Sequence, residues 1–305
     1  MKAFRLAALI AVPATLLLSA CAGGSSGIVG GGGGVPGQQA NVRFVNGLPG
    51  TTSYDVYFQS NGSAPPSSPL ITALTYGEAS DFKALPTVSG NVIVQTAGQP
   101  APSTGTAALT SCPVPQFANN TNYSIVIATA NTVPNCIIFN DSNYTGSANQ
   151  FRFHDASPNA NAAIGTTLSF GTATAPGTPA ASTFAVLSTA TLGTPAVGSG
   201  GATTFPVVTP TTLGTTTSVS FAVGPFSSGV STETASNTLD ASALMLPGST
   251  TQPNAGPPVN NNFSLPAGGS YAGASIYAIN CGTGTLPAGS HCVSGVALIG
   301  VFDSH

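Results

Sequence analysis

Charged side chains are scarce in this sequence. Asp, Glu, Lys and Arg make up only 4% of its 305 residues, whereas about 25% is usual in soluble globular domains. Tryptophan is absent, and there are only two methionines and three histidines. The chain is instead rich in Thr, Ser and Asn and contains Val, Ile, Phe and Tyr, a composition that favours β-strands and can still fill a hydrophobic core.

Among the charged residues the basic ones are fewer, with five Lys and Arg against eight Asp and Glu. Two of the five, Lys2 and Arg5, precede Cys21, so a chain beginning at Cys21 has three basic and eight acidic residues and a net charge of about −5. Nucleic acid is bound by Lys and Arg that neutralise phosphates. We therefore expect no nucleic-acid partner, and equally no polybasic membrane patch.

Residues 1–20 have the pattern of a targeting segment. Lys2 and Arg5 precede an apolar run from 6 to 18, which is shorter than the ~20 residues that a permanent membrane span needs. The sequence Leu18-Ser19-Ala20-Cys21 that follows resembles the bacterial lipobox. This resemblance implies cleavage before Cys21 and lipidation of its thiol. The alternative is an ordinary secretory signal with a cysteine near its cleavage point.

Residues 21–40 are rich in glycine and predict a flexible tether behind the lipidated Cys21. A chain of this length and composition has a root-mean-square reach of about 25 Å. The expected partner at this end is therefore a membrane, held through lipid. Ala22, rather than Asp, follows the cysteine, which resembles outer-membrane lipoproteins and predicts a location in the bacterial cell envelope.

The rest of the chain alternates short apolar runs with turn residues. Segments such as "YDVYFQ", "NVIVQTAG" and "YSIVIATA" are bounded by Gly, Pro, Asn and Ser, which is typical of all-β sandwiches. No sustained helical period follows the signal, so few helices are expected. The Thr-, Gly- and Pro-rich segment 171–218 is compatible either with strands joined by long loops or with partial mobility.

Two halves of the chain share a weak internal repeat. "VRFVNGLPGT" at 42–51 parallels "FRFHDASPNA" at 151–160, and "CIIFNDS" parallels "CVSGVALIGVFDS". The repeat predicts one β-sandwich over residues 41–148 and a diverged second one over 149–305. We refer to these as the first and second halves.

The first half carries motifs that resemble a bacterial family, domain of unknown function 4397. These are Val42-Arg43-Phe44 running to Pro49, the sequence Asp55-Val56-Tyr57, and the stretch from Leu74 to Phe82. The second half keeps the opening motif as Arg152, His154, Ser157 and Pro158. The resemblance implies two small immunoglobulin-like β-sandwiches in tandem, as found on lipoproteins and surface proteins, and brings no known activity.

The four cysteines after Cys21 allow three disulfide connectivities. Each half holds two of them, and an extracytoplasmic compartment is oxidising, so we expect Cys112 to pair with Cys136 and Cys281 with Cys292. Closing loops of about 24 and 11 residues would stabilise the fold by roughly 3 kcal/mol each. Metal binding is the weaker alternative, because the sequence has no CxxC motif.

Two groups of residues are candidates for chemistry, and each has a simpler structural interpretation. His154-Asp155 stands at the place where the first half has Asn46-Gly47, and a histidine that caps a turn explains it better than catalysis. Glu78 and Asp81 match a paired-carboxylate or Ca²⁺ site, but a solvated turn around Gly77 explains them better.

Two further expectations concern charged residues. Arg43 lies among apolar neighbours, and the sequence suggests an ion pair with Asp55. The remaining histidines, His291 and His305, have no pattern around them. We therefore expect no catalytic, cofactor-binding or metal-binding residues.

The sequence thus predicts a lipid-anchored envelope protein that is not an enzyme. A binding or adhesion module, with an envelope protein or a glycan as its partner, is the first hypothesis. A structural subunit of an envelope assembly that pairs through strand edges is the alternative. An uncharacterised hydrolase is a remote one.

Overall fold

The computed structural model describes most of the first half and parts of the second. The described residues are 37–102, 108–130, 133–141, 150–158, 167–174, 184–191, 203–204, 219–224, 230–231, 237–240, 271–282, 284–287, 290, 292 and 295–304. All seventeen elements named along them are β-strands, so the predicted all-β class is confirmed. Across these residues no helix is long and apolar enough to span a membrane.

The first half contributes eight strands. They are β1 (Gln39–Asn46), β2 (Tyr54–Ser60), β3 (Ile71–Leu74), β4 (Lys83–Pro86), β5 (Gly90–Thr96), β6 (Thr110–Val114), β7 (Asn122–Ala130) and β8 (Val133–Asn140).

The second half contributes nine. They are β9 (Gln150–Ala156), β10 (Thr167–Thr174), β11 (Phe184–Thr191), β12 (Thr203–Thr204), β13 (Val219–Gly224), β14 (Val230–Ser231), β15 (Asn237–Asp240), β16 (Tyr271–Asn280) and β17 (Val296–Ser304). Strands β10, β11 and β12 overlap the segment 171–218, whose other residues lie outside the described ranges.

The described strands form four sheets. Sheet I has the order β12-β8-β7-β1-β4, sheet II β3-β2-β5-β6, sheet III β17-β16-β9 and sheet IV β14-β11-β10-β13-β15. In sheet I, β1 runs parallel to β7, which is antiparallel to β8. In sheet III, β9 runs parallel to β16, which is antiparallel to β17. The same three-strand arrangement therefore occurs once in each half.

Sheets I and II pack face to face and enclose one hydrophobic core. Alternate residues point to opposite faces of a strand, so Phe44 on β1 faces sheet II while Val45 faces away from it. Phe44 joins Val56, Val92 and Ile125 in the core between the two sheets.

The opposite face of sheet I packs against sheet III. Val45, Val126 and Phe139 belong to a second core with Ile276 and Leu298 of sheet III. Sheet I is thus covered on both faces, which explains why five consecutive residues of β1, from Val42 to Asn46, are all buried. Strands β13 and β15 of sheet IV contact β17 of sheet III.

The four described cysteines are paired within their halves. Cys112 on β6 is bonded to Cys136 on β8, joining sheets II and I, and Cys281 is bonded to Cys292. The residues 142–149 between β8 and β9 lie outside the description, and the expected division of the chain near residue 148 stays a prediction.

Candidate functional site

A buried polar cluster lies where sheets I and III face each other. Sheet I supplies Ser124 from β7 and Asp141, which directly follows β8. Sheet III supplies Arg152 and His154 from β9 and Tyr277 from β16. All five are at most 4% exposed, and the apolar strands around them bring them together from both halves of the chain.

The carboxylate of Asp141 is the centre of this cluster. Its Oδ2 accepts a hydrogen bond from the hydroxyl of Ser124 at 2.7 Å. Its Oδ1 lies 2.9 Å from Nε2 of His154, and Nη1 of Arg152 is 3.6 Å from Oδ2. One residue of the first half thus contacts two charged or polar residues of the second.

Competing effects set the protonation of Asp141. Burial on its own would raise the pKa of this carboxyl, but Arg152, His154 and the hydroxyl of Ser124 outweigh burial and lower the pKa to about 2. Asp141 is therefore ionised at neutral pH and can only accept hydrogen bonds. It follows that Nε2 of His154 carries a proton, and that Tyr277, 2.8 Å from Ser124, donates its hydroxyl proton to that serine.

His154 lies inside the strand ladder and does not cap a turn. Its ring stacks on Tyr277 with 4.4 Å between centroids and meets Phe139 edge-on at 5.0 Å. Its Nδ1 lies 3.3 Å from the carbonyl oxygen of Ile276. The turn-capping interpretation is therefore wrong, because the ring is completely buried between two sheets.

The correspondence of His154 with Asn46 is also wrong by one residue. Arg43 lies opposite Ser124 across the β1–β7 ladder, and Arg152 lies opposite Ser275 across the β9–β16 ladder. Counting from the two arginines, His154 corresponds to Val45 and not to Asn46. The residue that corresponds to Asn46 is Asp155.

The chemistry of this cluster is that of a structural network. A serine nucleophile needs a base that takes its proton, but Ser124 is hydrogen-bonded to Asp141 and Tyr277 rather than to the imidazole of His154. The cluster is also closed to solvent, so a substrate has no access to it as it stands. Its groups hold sheets I and III together.

A second set of polar contacts crosses the same interface. The side-chain amide of Asn280 donates to the carbonyl oxygen and the hydroxyl of Thr129, at 3.0 and 3.1 Å. Its side-chain oxygen accepts from the hydroxyl of Ser157 at 2.8 Å. The hydroxyl of Tyr76 donates to the backbone carbonyl of Asn280 at 2.8 Å. Asn280 thus bonds to both halves.

Asp155, next to His154, is buried, and little offsets the free-energy cost of burying its carboxylate. Its Oδ1 accepts the backbone N–H of Ser157 at 3.3 Å. Burial raises the pKa of Asp155 to about 7, and this hydrogen bond only partly offsets the effect. The carboxyl is therefore near its midpoint of ionisation at neutral pH.

The expected ion pair between Arg43 and Asp55 is wrong. The two carboxylate oxygens of Asp55 accept the backbone N–H groups of Ala73 and Gly98, at 2.9 and 3.1 Å. Arg43 faces the other side of sheet I, towards sheet III, where it donates to the carbonyl oxygen of Phe302 at 3.2 Å. Asp55 belongs to sheet II, and strand alternation points Arg43 away from that sheet, so the two side chains do not meet.

The acidic stretch at residues 76–83 forms a turn. Oε2 of Glu78 accepts both the backbone N–H and the hydroxyl of Thr75, at 2.8 and 2.9 Å. Gly77 has a positive φ of 78°, which a glycine adopts without strain. Nowhere in the described part of the chain do three His, Cys, Asp or Glu side chains lie close enough together to hold a metal ion.

Several predicted residues fall outside the described ranges. Cys21, with the signal and most of the tether, is one of them, and His291 and His305 are others. Conversely, no motif in the sequence singles out Ser124, Asp141 or Tyr277. The only available signal was the shared ending, in which Asp141 and Asp303 close similar strands.

Comparison with known proteins identifies part of the chain. Residues 40–164 match the model of a family described as a domain of unknown function, DUF4397. The expected family is therefore confirmed over this segment, which runs from β1 past β9 and so includes the strand that carries Arg152 and His154. No curated protein matches the sequence.

Proposed function

We propose that the protein is a lipid-anchored module of the bacterial cell envelope that binds a partner and catalyses no reaction. Its two halves form immunoglobulin-like β-sandwiches in tandem on a glycine-rich tether. The observation that carries the non-catalytic assignment is the closure of the Ser124–Asp141–His154 cluster. Among the described residues, the serine, carboxylate and imidazole that lie closest together are buried and bonded to each other across the two halves.

The envelope location is supported by the lipobox-like sequence ending at Cys21 and by the cysteine pairs. Disulfides persist in oxidising compartments and are rare in the cytosol. The binding role is supported by the low charge and by the sandwich architecture, which presents loops on a rigid scaffold. A glycan or an envelope protein fits such a neutral, hydroxyl- and amide-rich surface.

The anchor is tested by metabolic labelling with a palmitate analogue. We expect the wild-type protein and a Ser25→Ala control to carry the label, and Cys21→Ser to lose it. Labelling of Cys21→Ser at the wild-type level would contradict lipidation at this residue.

The non-catalytic assignment is tested with a fluorophosphonate probe, which reacts with activated serines. We expect no labelling of the folded protein, because Ser124 is closed off from solvent. A label that disappears in Ser124→Ala would overturn the proposal in favour of a hydrolase.

The partner class is tested on a glycan and peptidoglycan array with the Cys21→Ser chain, and by crosslinking in cells. Saturable glycan binding would support a binding module. A single stoichiometric envelope protein, crosslinked through sheet edges without any glycan binding, would instead support the structural-subunit alternative.

A further inference from the structure

We propose that the Cys281–Cys292 disulfide, which lies within the second half, can be reduced in the folded protein and holds the chain that it closes against the first half. In this proposal a dithiol reduces it in the folded protein and so opens one edge of the interface between sheets I and III. The Cys112–Cys136 disulfide stays oxidised under the same conditions.

The two disulfides differ in exposure. Cys112 and Cys136 are 3% and 1% exposed in the core between sheets I and II. Cys281 is 7% exposed, but its partner Cys292 is exposed to solvent. Thiol–disulfide exchange requires a thiolate to reach a sulfur atom, so we expect the pair with an exposed cysteine residue to react in the folded protein and the fully buried pair to resist.

Two described residues of the segment closed by this disulfide, Gly284 and Pro287, pack against turns of the first half. A Cβ built on Gly77 would lie 2.7 Å from Cδ of Pro287, and one built on Gly284 would lie 2.7 Å from the carbonyl oxygen of Gly50. These separations are shorter than real Cβ atoms allow, so glycine is needed at both contacts. Pro287 is itself buried.

The same segment lies against the turn at Tyr76 and Gly77, which is part of the family motif from Leu74 to Phe82. Tyr76 is 5% exposed, and its hydroxyl is bonded to the carbonyl of Asn280, the residue before Cys281. The turn is also hydrogen-bonded to β1. The N–H of Gly77 donates to the carbonyl oxygen of Asn46, and the N–H of Asn46 donates to the carbonyl oxygen of Glu78. Release of the segment exposes Tyr76 and loosens these two hydrogen bonds.

The chemistry is a two-electron exchange. One thiolate of the dithiol attacks the sulfur of Cys292, a mixed disulfide forms, and Cys281 leaves as a thiolate. The second thiol of the dithiol, as a thiolate, then attacks the dithiol sulfur that is bonded to Cys292. Cys292 leaves as a thiolate. The dithiol ends as a cyclic disulfide, and the protein gains two thiols after protonation.

The order of reduction is tested with dithiothreitol on the folded protein. Aliquots taken along a titration are alkylated with iodoacetamide, fully reduced, alkylated with heavy iodoacetamide and analysed as peptides. We expect Cys281 and Cys292 to be alkylated at a dithiothreitol concentration at least tenfold below that for Cys112 and Cys136. Simultaneous reduction of both pairs, or earlier reduction of Cys112–Cys136, overturns the proposal.

The opening is tested by hydrogen exchange of the Asn46 and Gly77 amides before and after that selective reduction. We expect exchange to accelerate at least tenfold at both. Unchanged exchange shows that the disulfide does not hold the segment in place, and this also overturns the proposal.

A matched pair of variants separates the contact from the disulfide. The added Cβ of Gly284→Ala collides with Gly50, and we expect this variant to accelerate amide exchange at Gly77 with both disulfides intact. We also expect it to lower the dithiothreitol concentration at which Cys281–Cys292 is reduced. Gly98→Ala is the control, because Gly98 also has a positive φ, 79°, but nothing lies near its Cβ position. Equal effects of the two variants would contradict the assigned contact.

Discussion

Strands β1 and β9 hold the same place in the two halves but carry different side chains there. At the interface between sheets I and III, β1 and its partner β7 present Val45 and Val126, which pair across the ladder. The corresponding pair in the second half is His154 and Tyr277. The first half thus offers an apolar surface at these positions, and the second half places a stacked pair of polar rings against Asp141.

A second difference lies one residue further along each strand. Asn46 and Asp155 both accept the backbone N–H two residues later, that of Leu48 at 3.0 Å and that of Ser157 at 3.3 Å. Asn46 is a neutral amide and also donates to the carbonyl of Leu74. The two halves therefore keep one backbone geometry, while the carboxyl in the second half brings a burial penalty that the amide avoids.

The largest effect is expected from removal of the charge at Asp141. Asp141→Ala removes the buried carboxylate that Arg152 and His154 contact, and breaking a buried ion pair costs about 3–5 kcal/mol. Urea unfolding at pH 7 with both disulfides oxidised measures this loss.

A double-mutant cycle serves as its control. In an Arg152→Met background the Asp141→Ala substitution should cost about 1–3 kcal/mol less, since contacting residues couple. A cost below about 1 kcal/mol for the single variant, or strict additivity, would show that the polar pairing does not hold the two halves together.

The next prediction tests whether the second half tolerates the neutral amide that the first half has at the equivalent position. Asp155→Asn reproduces Asn46 and should stabilise the protein at pH 8 by about 2–4 kcal/mol. In the wild type the folded-state pKa of Asp155 is about 7 and its ordinary value is 3.8. The folded state therefore binds this proton more tightly, and the stability falls as the pH rises from about 4 to about 7.

The pH dependence distinguishes this explanation from a change in packing. Unfolding free energies of Asp155→Asn and wild type should agree near pH 4, where Asp155 is protonated in the folded state, and diverge steadily up to pH 7. Asp141 acts in the opposite direction, because its lowered pKa gives stability that is lost only as the pH falls from about 4 towards 2. An equal gain for Asp155→Asn at pH 4 and pH 8 would contradict the role of ionisation.

Local patterns made the strands predictable, but not the way in which the sheets stack. Runs such as "NVRFVN" and "YSIVIATA" indicate strands through their composition and turn boundaries, and each half holding two cysteines favoured the observed pairs. The burial of sheet I on both faces depends on sheet III, in which β16 and β17 come from the far end of the chain. Ser124 and Tyr277 are 153 positions apart, and no local spacing relates them.

The errors in the candidate site have similar physical causes. A shift of one residue moves every side chain of a strand to the opposite face, so aligning His154 with Asn46 placed it in a turn. The pairing of Arg43 with Asp55 looked reasonable by charge, but backbone N–H groups near Asp55 satisfy it instead. Such local donors are not visible in a sequence.

The smallest effect concerns the hydroxyl of Tyr277, which has no counterpart on Val126. Tyr277→Phe removes one donor to Ser124 but keeps the ring stacked on His154, and Ser124 still donates to Asp141. We expect a loss of about 1 kcal/mol in urea unfolding, the usual net worth of one hydrogen bond. Tyr277→Val, which copies the first half, should cost more, because it also removes the stacked ring and leaves a cavity. Equal losses for the two variants would mean that the hydroxyl, rather than the ring, is what the second half adds to this interface.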